Sequence, residues 1–228
     1  HEAWGSLARK LAHEIKNPLT PIQLTIDRLK NKYSDQFKNE NKDDFKENLK
    51  IINNQIRQIE KLVNEFSDFA RMPKPIFREN NLVELIYDNI NLLKELDSSI
   101  DINFENNSDQ IILESDKEQM SRVFLNLIKN SIESINQKSK NYNNFRKKIT
   151  IELMQNNNQI DFIIQDNGIG FNKVKNNISE ILNPYFTTKK NGTGLGLSIV
   201  NKIISDHNGK IEFIPIENGA KIKINFIK

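Results

Sequence analysis

Apolar residues along the first thirty positions fall on a heptad stripe, with Trp4 and Leu11 at one set of positions and Ala8, Ile15, Ile22 and Leu29 at the other. This spacing predicts one long helix. After a polar stretch at 34–42, the residues Phe45, Leu49, Ile52, Ile56, Ile59, Val63, Phe66 and Ala70 recur at intervals of 4, 3, 4, 3, 4, 3 and 4. Two long helices joined by a short polar turn make an αα-hairpin, and a seam of that length is too extensive for one partner helix to hide. The expected result is a dimer built as a four-helix bundle. The run Arg71-Met-Pro-Lys-Pro75 ends the second helix, because each proline removes a backbone donor and disfavours a helical residue before it. The boundary is therefore expected near position 72, with a helical domain over 1–72 and a second domain over 73–228.

Beyond that boundary the period changes. A helix is predicted over 82–96, short alternating strands over 100–104 and 111–113, and a second helix over 117–136. Period-2 segments at 149–154 and 160–165 read as a hairpin, and a loop over 171–193 leads to a helix through 197–206 and strands at 210–214 and 220–227. The second domain is expected to be α+β, one sheet covered by helices on one face.

With 37% hydrophobic and 28% charged residues, the chain of 228 lies on the polar side of the globular range, which excludes a disordered polyelectrolyte. Thirty-three Lys plus Arg against thirty Asp plus Glu leave only +3, too little for a strong non-specific field toward nucleic acid. The absence of Cys excludes disulfides, thiolate zinc sites and cysteine nucleophiles. No apolar run approaches the length of a membrane span, and HEAWGSLARK lacks a signal-peptide pattern, so a soluble chain is expected.

The first candidate chemistry lies at His13, which the heptad places at the position furthest from the bundle centre. Glu14 adjoins it and Asn17 follows at i+4. A neutral imidazole nitrogen is a usable nucleophile near pH 7, and a neighbouring carboxylate can orient the ring or take its proton. A lone surface histidine would be the blander reading, and it is kept for His1 and His207. At 13–21, however, HEIKNPLTP places two prolines inside a strongly periodic helix, which breaks a local rule and asks for a functional reason.

In the second domain Asp166-Asn-Gly-Ile-Gly170 directly follows a strand, where glycines let the backbone approach a ligand. An Asn-Gly hairpin turn remains the alternative for those residues. Gly192-Thr-Gly-Leu-Gly196 precedes a helix and aims backbone N–H groups at phosphate, although it is neither a Walker A loop nor a Rossmann fingerprint. Asn126 and Asn130 share a helix face, and amide oxygens there could reach Mg²⁺; a solvated face in an Asn-rich chain is the alternative. The long loop carries Pro184-Tyr-Phe-Thr-Thr-Lys-Lys190 and reads as a lid.

These motifs, taken together and in this order, resemble a sensor histidine kinase of two-component signalling. HEIKNPLTP resembles the H box, Asn126 to Asn130 the N box, DNGIG and GTGLGLS the two glycine boxes, and PYFTT the F box. Within the family, EAW followed by LAHEIKNPLTPIQLTIDRLK is similar to the nitrogen-regulation NtrY type. The resemblance implies a dimerisation and phosphotransfer hairpin followed by an ATP-binding α+β two-layer sandwich, the fold shared by gyrase, Hsp90, histidine kinases and MutL. It implies that His13 is the phosphoacceptor, Glu14 the general base, and Asn17 the residue positioning water during dephosphorylation of the partner. It further implies that Asn130 ligates Mg²⁺ beside Asn126 and that Asp166 reads adenine. Gly168, Gly170, Phe186, Thr187, Lys189, Gly192, Thr193, Gly194, Leu195 and Gly196 then hinge or line the nucleotide lid. Glu133 and Ser134 depart from the pattern, standing where many relatives carry a basic and an aromatic residue. ATP and Mg²⁺ are the implied cofactors, a response regulator (NtrX-like for this subtype) the implied partner, and the cytoplasmic portion of a membrane-anchored sensor the implied location. Two rivals stay open, a clamp-type ATPase of the same fold whose histidine is never modified and a dimeric adaptor without catalysis.

Overall fold

The computed structural model describes residues 2–33, 39–70, 72–142, 144–171 and 195–228. The chain divides into two compact units, a helical one made mainly of His1–Pro73, to which 189–195 are also assigned, and a second made of 74–188 and Gly196–Lys228.

The helical unit is the hairpin α1 (Glu2–Tyr33) and α2 (Asn39–Ala70). Its core is the cluster Leu19, Ile26, Leu49 and Ile56, with Phe45 packed against it. Each such side chain withdrawn from water contributes about 1.5–3 kcal/mol. The buried stripe of α1 runs Ala8, Ala12, Leu19 and Ile26, whereas Leu11, Ile15, Ile22 and Leu29, expected on the seam, are exposed. On α2, Leu49, Ile56 and Val63 are buried while Ile52 and Ile59 are exposed. The expected single seam is therefore two. One half of the apolar repeat closes the hairpin, and the other half remains on the surface as a continuous set of aliphatic positions, an area that a water-soluble helix pair does not normally leave bare.

In the second unit β1 (Arg78–Asn81) pairs antiparallel with β3 (Ile112–Ser115) as a separate ribbon. The main sheet has the order β2 (Asp101–Asn106), β4 (Lys148–Asn156), β5 (Gln159–Asp166), β7 (Ala220–Ile227), β6 (Lys210–Ile214). Only β2 and β4 are parallel, and the other neighbours are antiparallel. Alternation decides the faces. Ile149, Ile151 and Leu153 of β4, Ile160, Phe162 and Ile164 of β5, and Ile222, Ile224 and Phe226 of β7 are all buried. α3 (Leu82–Leu96), α4 (Lys117–Ser139) and α5 (Gly196–Asp206) form the helical layer. The Phe124 ring of α4 packs 5.0 Å from that of Phe162. On the opposite face Asp161 accepts from Asn225 Nδ2 at 2.7 Å and pairs with Lys223 at 3.1 Å. This is a two-layer α+β sandwich.

Polar caps fix where the helices start. Asn81 Oδ1 accepts the N–H of Val83 at the head of α3 and also that of Ile111, both at 3.2 Å. Asp116 Oδ1 accepts Gln119 N–H at 3.0 Å and starts α4, which holds Asn126 and Asn130. No helix among the described residues is long and apolar enough to cross a membrane.

Candidate functional site

On α1, His13, Glu14 and Asn17 are all exposed, beside buried Ala12 and Leu19. Pro18 and Pro21 lie inside the helix without ending it. Their missing N–H groups are those that would meet the carbonyls of Glu14 and Asn17 in the i→i−4 ladder. Both carbonyls follow the candidate nucleophile within about one turn, so two helix hydrogen bonds are missing just after His13. Thr25 Oγ1 donates to the Pro21 carbonyl at 2.8 Å and Thr20 Oγ1 to the Lys16 carbonyl at 3.5 Å, back-bonds of the kind that bend a helix slightly.

In the second unit the site is built where β5 ends against α4. Asp166 is 4% exposed, and its Oδ1 accepts Gly168 N–H at 2.8 Å and Ala220 N–H at 3.3 Å. Burial pushes its carboxyl above the ordinary range, opposed by these amides, by the neighbouring Ser131 and by the charge of Lys138. Gly168 has no room for a side chain, since a Cβ there would lie 2.2 Å from Ser134 Oγ. Gly170 has φ +66° with the Gly219 carbonyl against it, so glycine is required twice over. Asn167-Gly168 is not a two-residue hairpin turn, because 169–171, directly after it, form no strand to pair with β5; the β4–β5 hairpin turns instead at Asn157–Asn158, with Asn157 at φ 52°. This removes the alternative reading of the DNGIG segment.

Asn126 and Asn130 are half-buried on α4. A Cβ built on Gly196 would stand 3.9 Å from Asn126 Oδ1 and 3.9 Å from Asn130 Nδ2, so the first residue of α5 faces both amides at open contact distance. Leu195, just before it, is fully buried. The structure thus brings Asp166, Gly168 and Gly170 together along one end of α4, and Gly196 to Asn126 and Asn130. Phe186, Thr187, Lys189, Gly192, Thr193 and Gly194, with the expected lid, lie outside the described residues.

Sequence reasoning missed Ser131 and Lys138, and noted Ser134 only as a departure from the family pattern. Ser134 Oγ accepts Ile169 N–H at 3.0 Å, and Lys138 Nζ donates to the Asn167 carbonyl at 3.0 Å. Their spacing of three and four along α4 after Ser131 was a visible signal of one face, but nothing in their types pointed to a ligand. The departure at Ser134 acquires a physical reason, since a buried hydroxyl is needed where the turn docks.

Residues 3–75 match the family described as His Kinase A (phospho-acceptor) domain, and residues 115–227 match the histidine kinase-, DNA gyrase B-, and HSP90-like ATPase family. A nucleotide-free catalytic domain of the histidine kinase ThkA is 33% identical, with 67% of this chain and 98% of that chain covered at a TM-score of 0.58. The chain belongs to the histidine kinase family. This histidine kinase chain is also 37% identical to a sensor histidine kinase NtrY-like protein of Rickettsia felis, over 98% of its own length and 36% of the relative's. It spans about a third of that curated relative. ThkA in complex with the response regulator protein TrrA is 28% identical, covers 100% of this chain and 62% of that one, and superposes with a TM-score of 0.66.

Proposed function

We propose that the chain transfers the γ-phosphoryl group of ATP to the imidazole of His13 and passes it to an aspartate of a response regulator. The observation that carries this reading is an exposed histidine, followed by Glu and then Asn at i+4, on a helical hairpin covalently joined to a nucleotide-type sandwich. An imidazole nitrogen forms the bond to phosphorus as the bond to the bridging oxygen breaks and ADP leaves, while Glu14 takes the ring proton. Asn17, on the same face, orients the water that hydrolyses the phosphorylated partner. Asp166 accepts the exocyclic amine of adenine. The helical domain ends near position 72, and the remainder holds the nucleotide.

Asn130, with Asn126 beside it, would hold Mg²⁺. At Gly196 the amide oxygen belongs to Asn126 and Asn130 presents its Nδ2, so Asn126 Oδ1 is the uncharged oxygen on that side; with a second oxygen, that of Asn130, on the same helix face, the pair suits a hard ion that keeps much of its water and takes phosphate oxygens as further ligands. When bound, that ion neutralises phosphate charge. The exposed aliphatic positions of α1 and α2 form the dimer seam of a four-helix bundle. The NtrY-like relative supports an NtrX-like regulator as partner and a membrane-anchored parent protein, and the ThkA–TrrA complex supports docking of a receiver domain on such a chain.

Incubation with γ-labelled ATP tests the reading. Label should appear on the protein, resist base, be lost in acid, and vanish in His13→Gln. Steady ATP hydrolysis unchanged by His13→Gln would instead support a clamp ATPase, and no label with no hydrolysis would support the adaptor.

A further inference from the structure

We propose that Ser131, Ser134 and Lys138 are positioning residues, a single face of α4 that sets the purine selectivity of the Asp166 turn; the inference rests on the ATP reading above. The three stand at i, i+3 and i+7, one face over successive helical turns. Each holds a different part of the turn. Ser131 lies beside the Asp166 carboxyl and favours its charged form. Ser134 Oγ accepts Ile169 N–H at 3.0 Å, and Lys138 Nζ donates to the Asn167 carbonyl at 3.0 Å. Gly168 makes the docking possible, because any side chain there would drive into Ser134.

The consequence concerns direction more than affinity. Asp166 Oδ1 is committed to the amides of Gly168 and Ala220, so what remains of the carboxylate for a ligand depends on the turn's height above α4. A carboxylate held in that orientation rewards a purine that presents an amine and repels one that presents a carbonyl, which is the difference between adenine and guanine at that edge. Selectivity of this kind is lost when the acceptor is free to rotate, whereas contacts to phosphate are not.

The turn is also tied on its strand side. Asn167 Oδ1 accepts Lys148 N–H at 3.1 Å and its Nδ2 donates to the Arg146 carbonyl at 2.7 Å. Removing the helix-side bonds therefore leaves the turn folded and frees only its orientation. This separates a positioning role from a merely structural one.

The test measures dissociation constants for ATP and GTP with wild type, Ser134→Ala, Lys138→Met, the double variant and Lys138→Arg, with thermal unfolding alongside. In the double variant the ATP-over-GTP preference should fall by roughly tenfold, about what one lost hydrogen bond is worth at its upper end. The change should lie in weaker ATP binding at constant GTP binding, and Lys138→Arg, which keeps a cationic donor, should retain most of the preference. Equal weakening of both nucleotides, or an unchanged preference in folded single variants, overturns the inference while leaving the ATP reading standing. A wild-type protein with no preference for ATP overturns that reading and this inference with it.

Discussion

Asp166 is the residue at which stability and the proposed adenine recognition pull apart. Its folded pKa lies above its ordinary value of 3.8, because burial disfavours the charged form more than the surrounding donors favour it. The folded chain accordingly binds this proton more readily than the unfolded one. Stability falls as pH rises from the ordinary aspartate range through the folded value, and the penalty is complete above it. Asp166→Asn removes the charge but keeps an oxygen for Gly168 and Ala220. At neutral pH it should raise the melting temperature, with the gain shrinking as the scan is repeated toward acid, while ATP binding is lost. A lower melting temperature at neutral pH would show that the carboxylate is net stabilising. The role of Asp166 as an end-of-strand acceptor before glycines was legible in the sequence. Its support was not, because Ser131, Ser134 and Lys138 are ordinary helix-surface types until the turn is folded onto them. His207 shows the reverse case. Read as a residue without a job, it is 6% exposed, with Nε2 accepting Asp116 N–H at 2.9 Å and Nδ1 2.8 Å from the Ile203 carbonyl. A tautomer protonated at Nδ1 satisfies both bonds.

At the scale of elements, legibility followed periodicity. α3 was predicted over the span it occupies, Leu82–Leu96, because apolar period and cap agree there. β1 was missed, because Arg-Glu-Asn-Asn has no alternation and is held by backbone pairing to β3. The helical seam was legible in its period but not in its partition, since spacings of three and four describe equally a stripe facing α2 and one facing a second copy. The two halves predict different phenotypes. Ile56 is 4% exposed, and Ile56→Ala should cost about 2–5 kcal/mol in hairpin stability by leaving a cavity. Ile59 is 41% exposed, and Ile59→Lys should leave helicity by circular dichroism intact while sedimentation shifts from dimer to monomer. A dimer that survives Ile59→Lys together with Ile22→Lys would place the seam elsewhere.

For the whole molecule, the proposed phosphoryl transfer, from a nucleotide in one unit to His13 in the other, makes the connecting chain part of the chemistry. Five residues separate Ala70, the end of α2, from Ile76, and two of them are proline. The span ends at a fixed point. Ile76 N–H donates to Asp116 Oδ2 at 2.9 Å, while the other oxygen of the same carboxylate caps α4 and the neighbouring Phe77 ring packs 5.1 Å from that of His207. Fully extended, such a tether reaches roughly 20 Å, so each residue released from the anchor changes its working length appreciably. Burial pushes the Asp116 carboxyl up, but the amides of Ile76, Gln119 and Glu118 outweigh it and hold the group below the ordinary range. That stabilisation is present above the ordinary aspartate value and is lost only as pH falls through the still lower folded one, so the anchor holds at neutral pH. Asp116→Asn isolates it. The amide oxygen still caps Gln119, and Asn is a good N-cap, but its NH₂ cannot accept from Ile76. Autophosphorylation should slow on the order of tenfold as the near-attack geometry is populated less, while the dissociation constant for ATP stays within about twofold. If both change together, Asp116 serves the nucleotide fold alone, and the effective tether must be set by the prolines at 73 and 75.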